Sequence, residues 1–302
     1  MAFVEMKEQA KKAWDALQTS GKPLISVGTA TCGRSAGALA VLDTFQEDLN
    51  KRNVEANIVE VGCMGPCYAE PLVSIAKPGH PDIIYRNVTS ERALELIESS
   101  LLGNDPLPQY ALGTTGEGSV DGIPVLFDSP AFRPQERRVF RNCGVVDPTN
   151  IDHYIANGGY GGLVKALEMT PAQIVEEVKK SGLRGRGGGG FPAGRKWEAC
   201  LAAPGDERFV VCNADEGDPG AFMDRSLIEG DPHALLEGMT IAGHAVGAIR
   251  GYIYVRAEYP LAIERLQIAL EQARNKGFLG KNILGSVFDY DIEIFQGAGA
   301  FV

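Results

Sequence analysis

The sequence predicts an α/β protein with two domains joined by an irregular connector. The chain of 302 residues is about twice as long as a typical single domain. Short apolar runs alternate with amphipathic helical segments, which is typical of a sheet covered by helices. Prolines and glycines crowd residues 102–135 and interrupt this alternation. We therefore expect one domain over 1–105, a connector over 106–147 and a second domain over 148–302.

Charge and hydropathy exclude several classes of protein. The net charge of -10 argues against a nucleic-acid-binding protein, because such a protein needs a basic face. No run approaches the roughly 18–20 uncharged apolar residues that span a bilayer. The first residues, Met1 to Glu8, show no basic start followed by an apolar block, so we expect no secretory signal. A cytoplasmic protein without a membrane span is the expectation.

The N-terminal domain is predicted from the spacing of its apolar residues. Ala10, Ala13, Trp14 and Leu17, for example, share one face of a first helix. The predicted elements are a helix over 5–19, a strand over 24–27, a helix over 36–52, strands over 58–61, 72–75 and 82–86, and a helix over 93–101. The order α-β-α-β, then β-β-α, suits a small open sheet with helices on it, of thioredoxin-like shape.

The second domain begins with a strong helix signal. Thr170 to Gln173 form a capping box in which Pro171 takes the first helical position. The predicted elements are helices over 170–181, 231–246 and 260–277 and strands over 209–212, 252–255 and 292–295.

A glycine-rich segment, Gly185 to Phe191, follows the first of these helices and contains G-x-G-x-x-G. A Rossmann turn needs a strand directly before it, so we do not assign that turn here. Without side chains, backbone N–H groups approach an anion closely. Arg186, Arg195 and Lys196 add positive charge. We expect a ligand loop rather than a flexible linker.

An acidic segment, Cys212 to Gly220, follows a predicted strand. Its amide and carboxylates suit a hydroxyl-rich ligand such as a ribose or ribityl chain. A metal site and a solvated turn that caps the next helix are alternatives. Two unusual loops from one α/β unit favour one shared pocket.

These segments resemble the signatures of a known family. Ser181 to Trp197, Cys212 to Arg225 and Gly297 to Val302 are similar to three signatures of the flavin-bearing, NADH-oxidising subunit of NADH:quinone oxidoreductase. The same subunit occurs in NAD-linked and electron-bifurcating hydrogenases and formate dehydrogenases. The resemblance runs from about Arg133 to the last residue, and it implies a Rossmann-like α/β FMN/NADH-binding domain without the usual nucleotide-binding turn.

The third signature of that family continues beyond the point where this sequence stops, and a four-cysteine [4Fe-4S] domain follows it. We therefore expect a fragment of a longer chain, with an incomplete flavin domain. A [4Fe-4S] cluster is expected only if a region follows Val302.

The resemblance also implies site residues. Those expected to bind FMN are Gly185, Arg186, Gly187, Gly188, Lys196, Asn213, Asp215 and Glu216. Those expected to bind NAD are Gly190, Phe191, Asp218 and Asp224, with Phe191 stacking on the adenine. Because the cofactors supply the chemistry, no side chain is expected to be catalytic.

Three cysteines carry a second resemblance. Cys32, Cys63 and Cys67 resemble the ligands of the thioredoxin-like [2Fe-2S] ferredoxin module that is fused to some family members. That module uses four thiolates, spaced C-x4-C and C-x3-C. Here the first position falls near Ser26. The interpretations are a [2Fe-2S] cluster with Ser26 or another fourth ligand, a degenerate docking module without a cluster, and a zinc site with His80 as fourth ligand.

Together the resemblances imply an oxidoreductase, the electron-input subunit of a multisubunit redox complex. Hydride transfer between NAD(H) and FMN would precede one-electron transfer to iron–sulfur clusters. The expected partners are a thioredoxin-like [2Fe-2S] subunit and a further iron–sulfur or catalytic subunit. The expected location is the cytoplasm, with peripheral attachment to a membrane complex left open. The alternative is a non-catalytic docking subunit with an incomplete flavin site and a degenerate ferredoxin module.

Overall fold

The computed structural model describes residues 2–116, 118, 120, 122–218 and 220–298. The chain divides into two compact units. The N-terminal unit is Ala10–Pro148 with Glu229–Asp231, and the C-terminal unit is Met1–Gln9, Thr149–Ile228 and Pro232–Val302. Each unit has helices and a sheet, so the predicted α/β class is confirmed. None of the described helices is both long enough and apolar enough to cross a bilayer.

The first half of the chain builds a five-stranded sheet. Its elements are α1 (Phe3–Thr19), β1 (Leu24–Gly28), α2 (Thr31–Ser35), α3 (Ala38–Arg52), β2 (Asn57–Val61), β3 (Val73–Ala76), β4 (Asp82–Tyr85), α4 (Ser90–Glu95), a π-helical turn (Leu96–Leu102) and β5 (Ala111–Thr115). The strand order is β2-β1-β3-β4-β5. β1 is parallel to β2, and the other neighbours are antiparallel. This order agrees with the thioredoxin-like expectation.

The two faces of this sheet differ. Ile25, Val27 and Ile75 point into the core, where Phe45 of α3 is fully buried. The alternate residues of the strands, such as Ser26, line a cavity of about 560 Å³ within the same unit.

Part of the predicted connector, 106–147, has regular structure. β5 extends the sheet by pairing with β4, and Leu107 and Ile123 belong to the buried core of this unit. Position 113 in β5 favours glycine, because a Cβ there would lie only 2.9 Å from Leu126 Cα. The glycines and prolines around β5 therefore obscure its strand pattern in the sequence, although β5 packs closely on the segment that follows it.

The second half of the chain builds a three-stranded parallel sheet in the order β6-β7-β8. Its elements are α5 (Ile151–Ala156), α6 (Gly161–Leu167), α7 (Pro171–Ser181), α8 (Ala193–Ala202), β6 (Phe209–Ala214), α9 (Met223–Gly230), α10 (Pro232–Val246), β7 (Arg250–Arg256), α11 (Pro260–Asn275) and β8 (Asp291–Gly297). Parallel neighbours need long crossovers. α9 with α10 provides the first crossover and α11 the second.

The predicted capping box of α7 is confirmed. Thr170 N–H donates to Gln173 Oε1 over 2.8 Å, and Gln173 N–H donates to Thr170 Oγ1 over 3.4 Å. Gly182, with φ of +68°, ends the helix in the left-handed region. The glycine-rich segment therefore follows a helix, as predicted, and a Rossmann turn is excluded.

A buried polar cluster holds the start of α10. His233 Nδ1 lies 3.0 Å from Tyr160 Oη, and His233 Nε2 lies 3.2 Å from Gln272 Oε1. The Glu237 carboxylate accepts hydrogen bonds from the Tyr160 and Leu163 N–H groups over 2.8 and 3.0 Å. Burial lowers the pKa of His233 to about 4, so this ring packs in its neutral form at pH 7.

We expect His233→Gln to flatten the pH dependence of stability between about pH 4 and 6.5. In this window the unfolded chain binds a proton at His233 and the folded chain does not. The contribution of neutral His233 is fully present above about pH 6.5 and is lost as the pH falls toward 4, with a slope of at most about 1.4 kcal/mol per pH unit.

Urea unfolding of the whole protein from pH 4 to 7 measures this slope. His80→Gln is the matched control, because it makes the same substitution at an exposed position. Equal slopes for wild type and His233→Gln would show that His233 does not cause the effect.

Candidate functional site

The glycine-rich loop joins α7 to α8 and is closed at its base. Gly185 N–H donates to Phe191 O, and Ala193 N–H donates to Leu183 O, both over 2.8 Å. Gly188 and Gly190 have φ of +100° and +58°, a region that favours glycine. The backbone is thus held in a defined loop of mostly exposed residues, which leads directly to the N-terminus of α8, the end of a helix that attracts anions.

Gly194, in the first turn of α8, lets this helix pack closely on α7. A Cβ at this position would lie 2.6 Å from Lys179 N and 2.8 Å from Lys179 Cα. Those are backbone atoms and cannot move aside alone. The close packing holds the helix turn that presents Lys196, whose side chain is exposed.

We expect Gly194→Ala to destabilise the protein by about 1–3 kcal/mol, because the new methyl group collides with the backbone of α7. Gly187→Ala is the matched control, since a Cβ there would meet no described atom within 4 Å. Its expected effect on stability is within about 0.5 kcal/mol. Thermal and urea unfolding compare the three proteins, and equal stabilities would contradict the packing role of Gly194.

The acidic segment leaves the sheet at the end of β6 and is held by hydrogen bonds within it and from Arg225 and Arg256. Asp215 N–H donates to Asn213 Oδ1 over 3.1 Å. Glu216 has φ of +44°, its Oε2 accepts from Arg225 N–H over 2.8 Å, and its carbonyl accepts from Arg256 Nη1 over 3.0 Å. These contacts fix the backbone of the segment and the direction of the Glu216 carboxylate.

Two carboxylate oxygens of this segment are buried, Asp215 Oδ1 and Glu216 Oε1. Neither has a hydrogen-bond partner among the residues that the structure describes. Burial raises the pKa of Glu216 and, in the first turn of α9, that of Asp224. Buried polar atoms are nearly always paired. The segment therefore fits a ligand that brings hydroxyl donors, such as a ribityl chain.

The other predicted residues of this region are accessible. Asn213 and Asp218 are exposed, and Phe191 is 52% exposed, with the Arg195 guanidinium 5.9 Å from the centre of its ring. α10 contacts both α8 and β6, so the glycine-rich loop and the acidic segment belong to one α/β block. One pocket shared by both remains a prediction. Most of the third predicted signature, from Gly299 onward, and Pro219 lie outside the described residues.

The three predicted metal ligands lie together in the N-terminal unit. The Sγ atoms of Cys32, Cys63 and Cys67 are all within 4.8 Å of one another, and those of Cys63 and Cys67 are 3.5 Å apart. Gly65 N–H donates to Cys63 Sγ over 3.4 Å. Clustered thiolates are the ligands of iron–sulfur clusters and of other thiophilic metals. The residues present therefore fit such a group.

The zinc interpretation with His80 as fourth ligand is wrong. β3 runs antiparallel to β1, so Ala76 lies opposite Leu24, and His80 follows at that end of the sheet. The thiols lie at the other end of β1, four residues or about 13 Å away. Ser26 lies on the cavity-lining face of β1, and its role as fourth ligand remains a prediction.

Glu229, which holds α2 in place, is the first residue that sequence reasoning missed. Its carboxylate accepts hydrogen bonds from the N–H and hydroxyl groups of Thr31, over 2.8 and 2.6 Å, directly before Cys32. Gly62, directly before Cys63, packs so closely that a Cβ there would lie 2.3 Å from Gly230 Cα. Glu229 and Gly230 therefore position both cysteine-bearing segments.

Glu70 is the second residue that sequence reasoning missed. It is only 6% exposed, and its Oε2 accepts from Leu72 N–H over 2.7 Å. Burial raises the pKa of Glu70 to about 7, and the neighbouring Cys67 thiol adds to the rise. The sequence around Glu70 contains no known motif, so only its burial in the structure marks it as a candidate functional residue.

Residues 178–302 match the family model described as the Nuo51 FMN-binding domain. The family resemblance predicted for this segment is confirmed. Two curated relatives show the same similarity. The NADP-reducing hydrogenase protein HndC of Solidesulfovibrio fructosivorans is 59% identical over 170 residues, which are 56% of this chain and 34% of that protein. An NADH-quinone oxidoreductase subunit of Aquifex aeolicus is 54% identical over 153 residues, which are 51% and 36% of the two chains. The chain thus spans about a third of the length of these relatives.

Solved structures give weaker likenesses. The NAD+-reducing [NiFe]-hydrogenase in the H2-reduced state matches 97% of this chain and 47% of its own, with 22% identity and a TM-score of 0.44. The thioredoxin-like [2Fe-2S] ferredoxin of Aquifex aeolicus matches 33% of this chain and 97% of its own, with 18% identity and a TM-score of 0.28. Both TM-scores are below 0.5, so neither likeness supports a conclusion about function.

Proposed function

We propose that the chain belongs to the electron-input subunit of a redox complex, which exchanges hydride with NAD(H) at a bound FMN and passes electrons singly to iron–sulfur clusters. The observation that carries this proposal is the match of residues 178–302 to the FMN-binding family. The 59% and 54% identities to hydrogenase and quinone oxidoreductase subunits support it. FMN, when bound, supplies the exchange between two-electron and one-electron chemistry.

The glycine-rich loop would hold the FMN phosphate. Arg186, Gly187 and Gly188 offer backbone N–H groups in this loop, and Gly185, the fourth residue assigned to the loop, closes its base by donating its N–H to Phe191 O. The N-terminus of α8 and the ammonium group of Lys196 add positive charge next to that loop.

The acidic segment would hold the hydroxyl-rich part of FMN. Asp215 and Glu216 each present a buried oxygen that needs a donor, and Asn213 adds an amide at the same strand end. Hydroxyl groups of a ribityl chain are suitable donors. The carboxylates would thereby orient the ligand without taking part in bond breaking.

The dinucleotide would lie on partly or fully exposed residues of the same block. Phe191 offers an aromatic face, and Gly190, Asp218 and Asp224 are the further residues assigned to NAD(H). An exposed ring suits stacking on an adenine, which is the role proposed for Phe191.

The thiols of Cys32, Cys63 and Cys67 would hold a [2Fe-2S] cluster. Their convergence favours this interpretation over a degenerate module. The proposed partners are a thioredoxin-like [2Fe-2S] subunit and a further iron–sulfur or catalytic subunit. A cytoplasmic location is part of the proposal, because the thiols must stay reduced to bind iron. A [4Fe-4S] cluster belongs to it only for a region beyond Val302.

We expect the protein, purified anaerobically with its natural partners, to be yellow and to bleach on addition of NADH. Flavin absorbance before and after NADH, with FMN quantified by fluorescence after acid release, measures this. A flavin-free complex would contradict the proposal and would favour the non-catalytic docking subunit.

We expect Lys196→Gln to weaken FMN binding about ten-fold or more, because a charge-assisted contact to phosphate is lost. Lys180→Gln is the matched control, since Lys180 is an exposed lysine of α7 that pairs with Glu177. Titration of flavin-depleted protein with FMN, followed by fluorescence quenching, gives the affinities. Equal affinities of Lys196→Gln and wild type would show that Lys196 does not contact the phosphate.

A further inference from the structure

The three-thiol site needs another ligand. A [2Fe-2S] cluster takes four protein ligands, and Cys32, Cys63 and Cys67 supply three. The four-thiolate pattern places the remaining ligand near the end of β1.

Glu70 lies at this place. It follows the 3-10 turn Cys67–Ala69, three residues after Cys67. Its Oε2 lies 3.1 Å from the position that a Cβ would take at Gly28 and 3.3 Å from the corresponding position at Gly33. Gly28 ends β1, and Gly33 directly follows Cys32. The carboxylate thus lies beside both the end of β1 and the start of α2, although the atom nearest to a Cβ position at Gly33 is the Gly28 carbonyl oxygen.

One oxygen of Glu70 is buried without a donor. Oε1 has no hydrogen-bond partner in the described part of the chain, although Glu70 is only 6% exposed. A buried anionic oxygen without a partner is costly, and such groups are normally paired or bound to a metal. The Cys63 and Cys67 thiols lie close to this carboxylate. Iron is therefore a partner that would satisfy the thiolates and this oxygen together.

Ser26 is less suitable. It lies two residues before Gly28 on β1, which places its backbone about 7 Å further from the sheet edge where the thiols meet. Its hydroxyl must also lose a proton before it binds iron as an anion, whereas a carboxylate is an anionic ligand once ionised.

We propose that Glu70 is the fourth ligand of this site, so that the cluster is held by three thiolates and one carboxylate. Oε1 binds the iron, and the Leu72 N–H holds Oε2 and fixes the orientation of the group. This inference rests on the proposed function of the three thiols as cluster ligands.

The test compares wild type, Glu70→Ala, Glu70→Cys, Ser26→Ala and Asp82→Asn as full chains, each reconstituted anaerobically with iron and sulfide. Iron and acid-labile sulfide per chain, visible absorption and the EPR spectrum of the reduced protein are the measurements. Asp82 is the control carboxylate, because it lines the same cavity at the far end of the sheet.

We expect Glu70→Ala to lose at least half of its iron. Glu70→Cys should keep its iron and show changed EPR g-values, because a fourth thiolate replaces the oxygen ligand. Ser26→Ala and Asp82→Asn should match wild type in both measurements.

Several results would overturn the proposal. Wild-type protein that takes up no iron would refute the cluster itself and, with it, the role of Glu70. Iron-loaded wild type together with Glu70→Ala of unchanged iron content and spectrum would refute Glu70 alone. Loss of iron in Ser26→Ala but not in Glu70→Ala would assign the ligand to Ser26. If Glu70→Ala does not fold, as judged by circular dichroism, Glu70→Cys decides, and an unchanged EPR spectrum there refutes the ligand.

Discussion

Parallel pairing of β1 with β2 is the constraint on which the thiol site depends. Because Gly28 lies opposite Val61, the segments that follow both strands leave the sheet at the same edge. Cys32 comes from one segment, and Cys63 and Cys67 come from the other. An antiparallel pair would have placed these segments at opposite ends of the strands. The strand direction brings the three cysteines together. The hydrogen bonds that cap α2 and the Gly65 N–H that donates to Cys63 then adjust their positions.

In the C-terminal unit, hydrogen bonds and close helix packing, rather than strand direction, hold the predicted ligand-binding segments in place. Its glycine-rich loop is exposed, but two backbone hydrogen bonds close its base, and Gly194 lets the next helix pack against α7. Backbone N–H groups suit a phosphate, and buried carboxylates suit a polyol. Both segments are anchored to elements that pack on α10.

Local sequence signals predicted much of the fold. The capping box at Thr170 and the prolines at 232 and 260 mark helix starts that the structure confirms. α8 was missed because Gly194 is unfavourable in a helix by propensity and is placed there by packing. β5 was missed because its short run lies among prolines and glycines.

The thiol site was predictable in part. The cysteines were found because their spacing is a chemical signal in itself. The alternative of a zinc site with His80 was wrong because strand register, which the sequence does not display, decides which end of the sheet a turn occupies. Glu70 could not be predicted because only its burial distinguishes it from other glutamates. Glu229 could not be predicted because it is 198 positions away in sequence from Thr31, the residue to which it hydrogen-bonds.

The contact between Thr31 and Glu229 bears on how the N-terminal unit forms during synthesis. Ribosomes complete the strands and helices of this unit long before residue 229 emerges, so α2 begins without its cap and Gly62 without its neighbour. An excised fragment that stops at Pro148 would permanently lack both. The unit is thus compact in space but built from two separate stretches of the sequence. Cutting the chain after Pro148 removes the residues near 229 that help to position its cysteines.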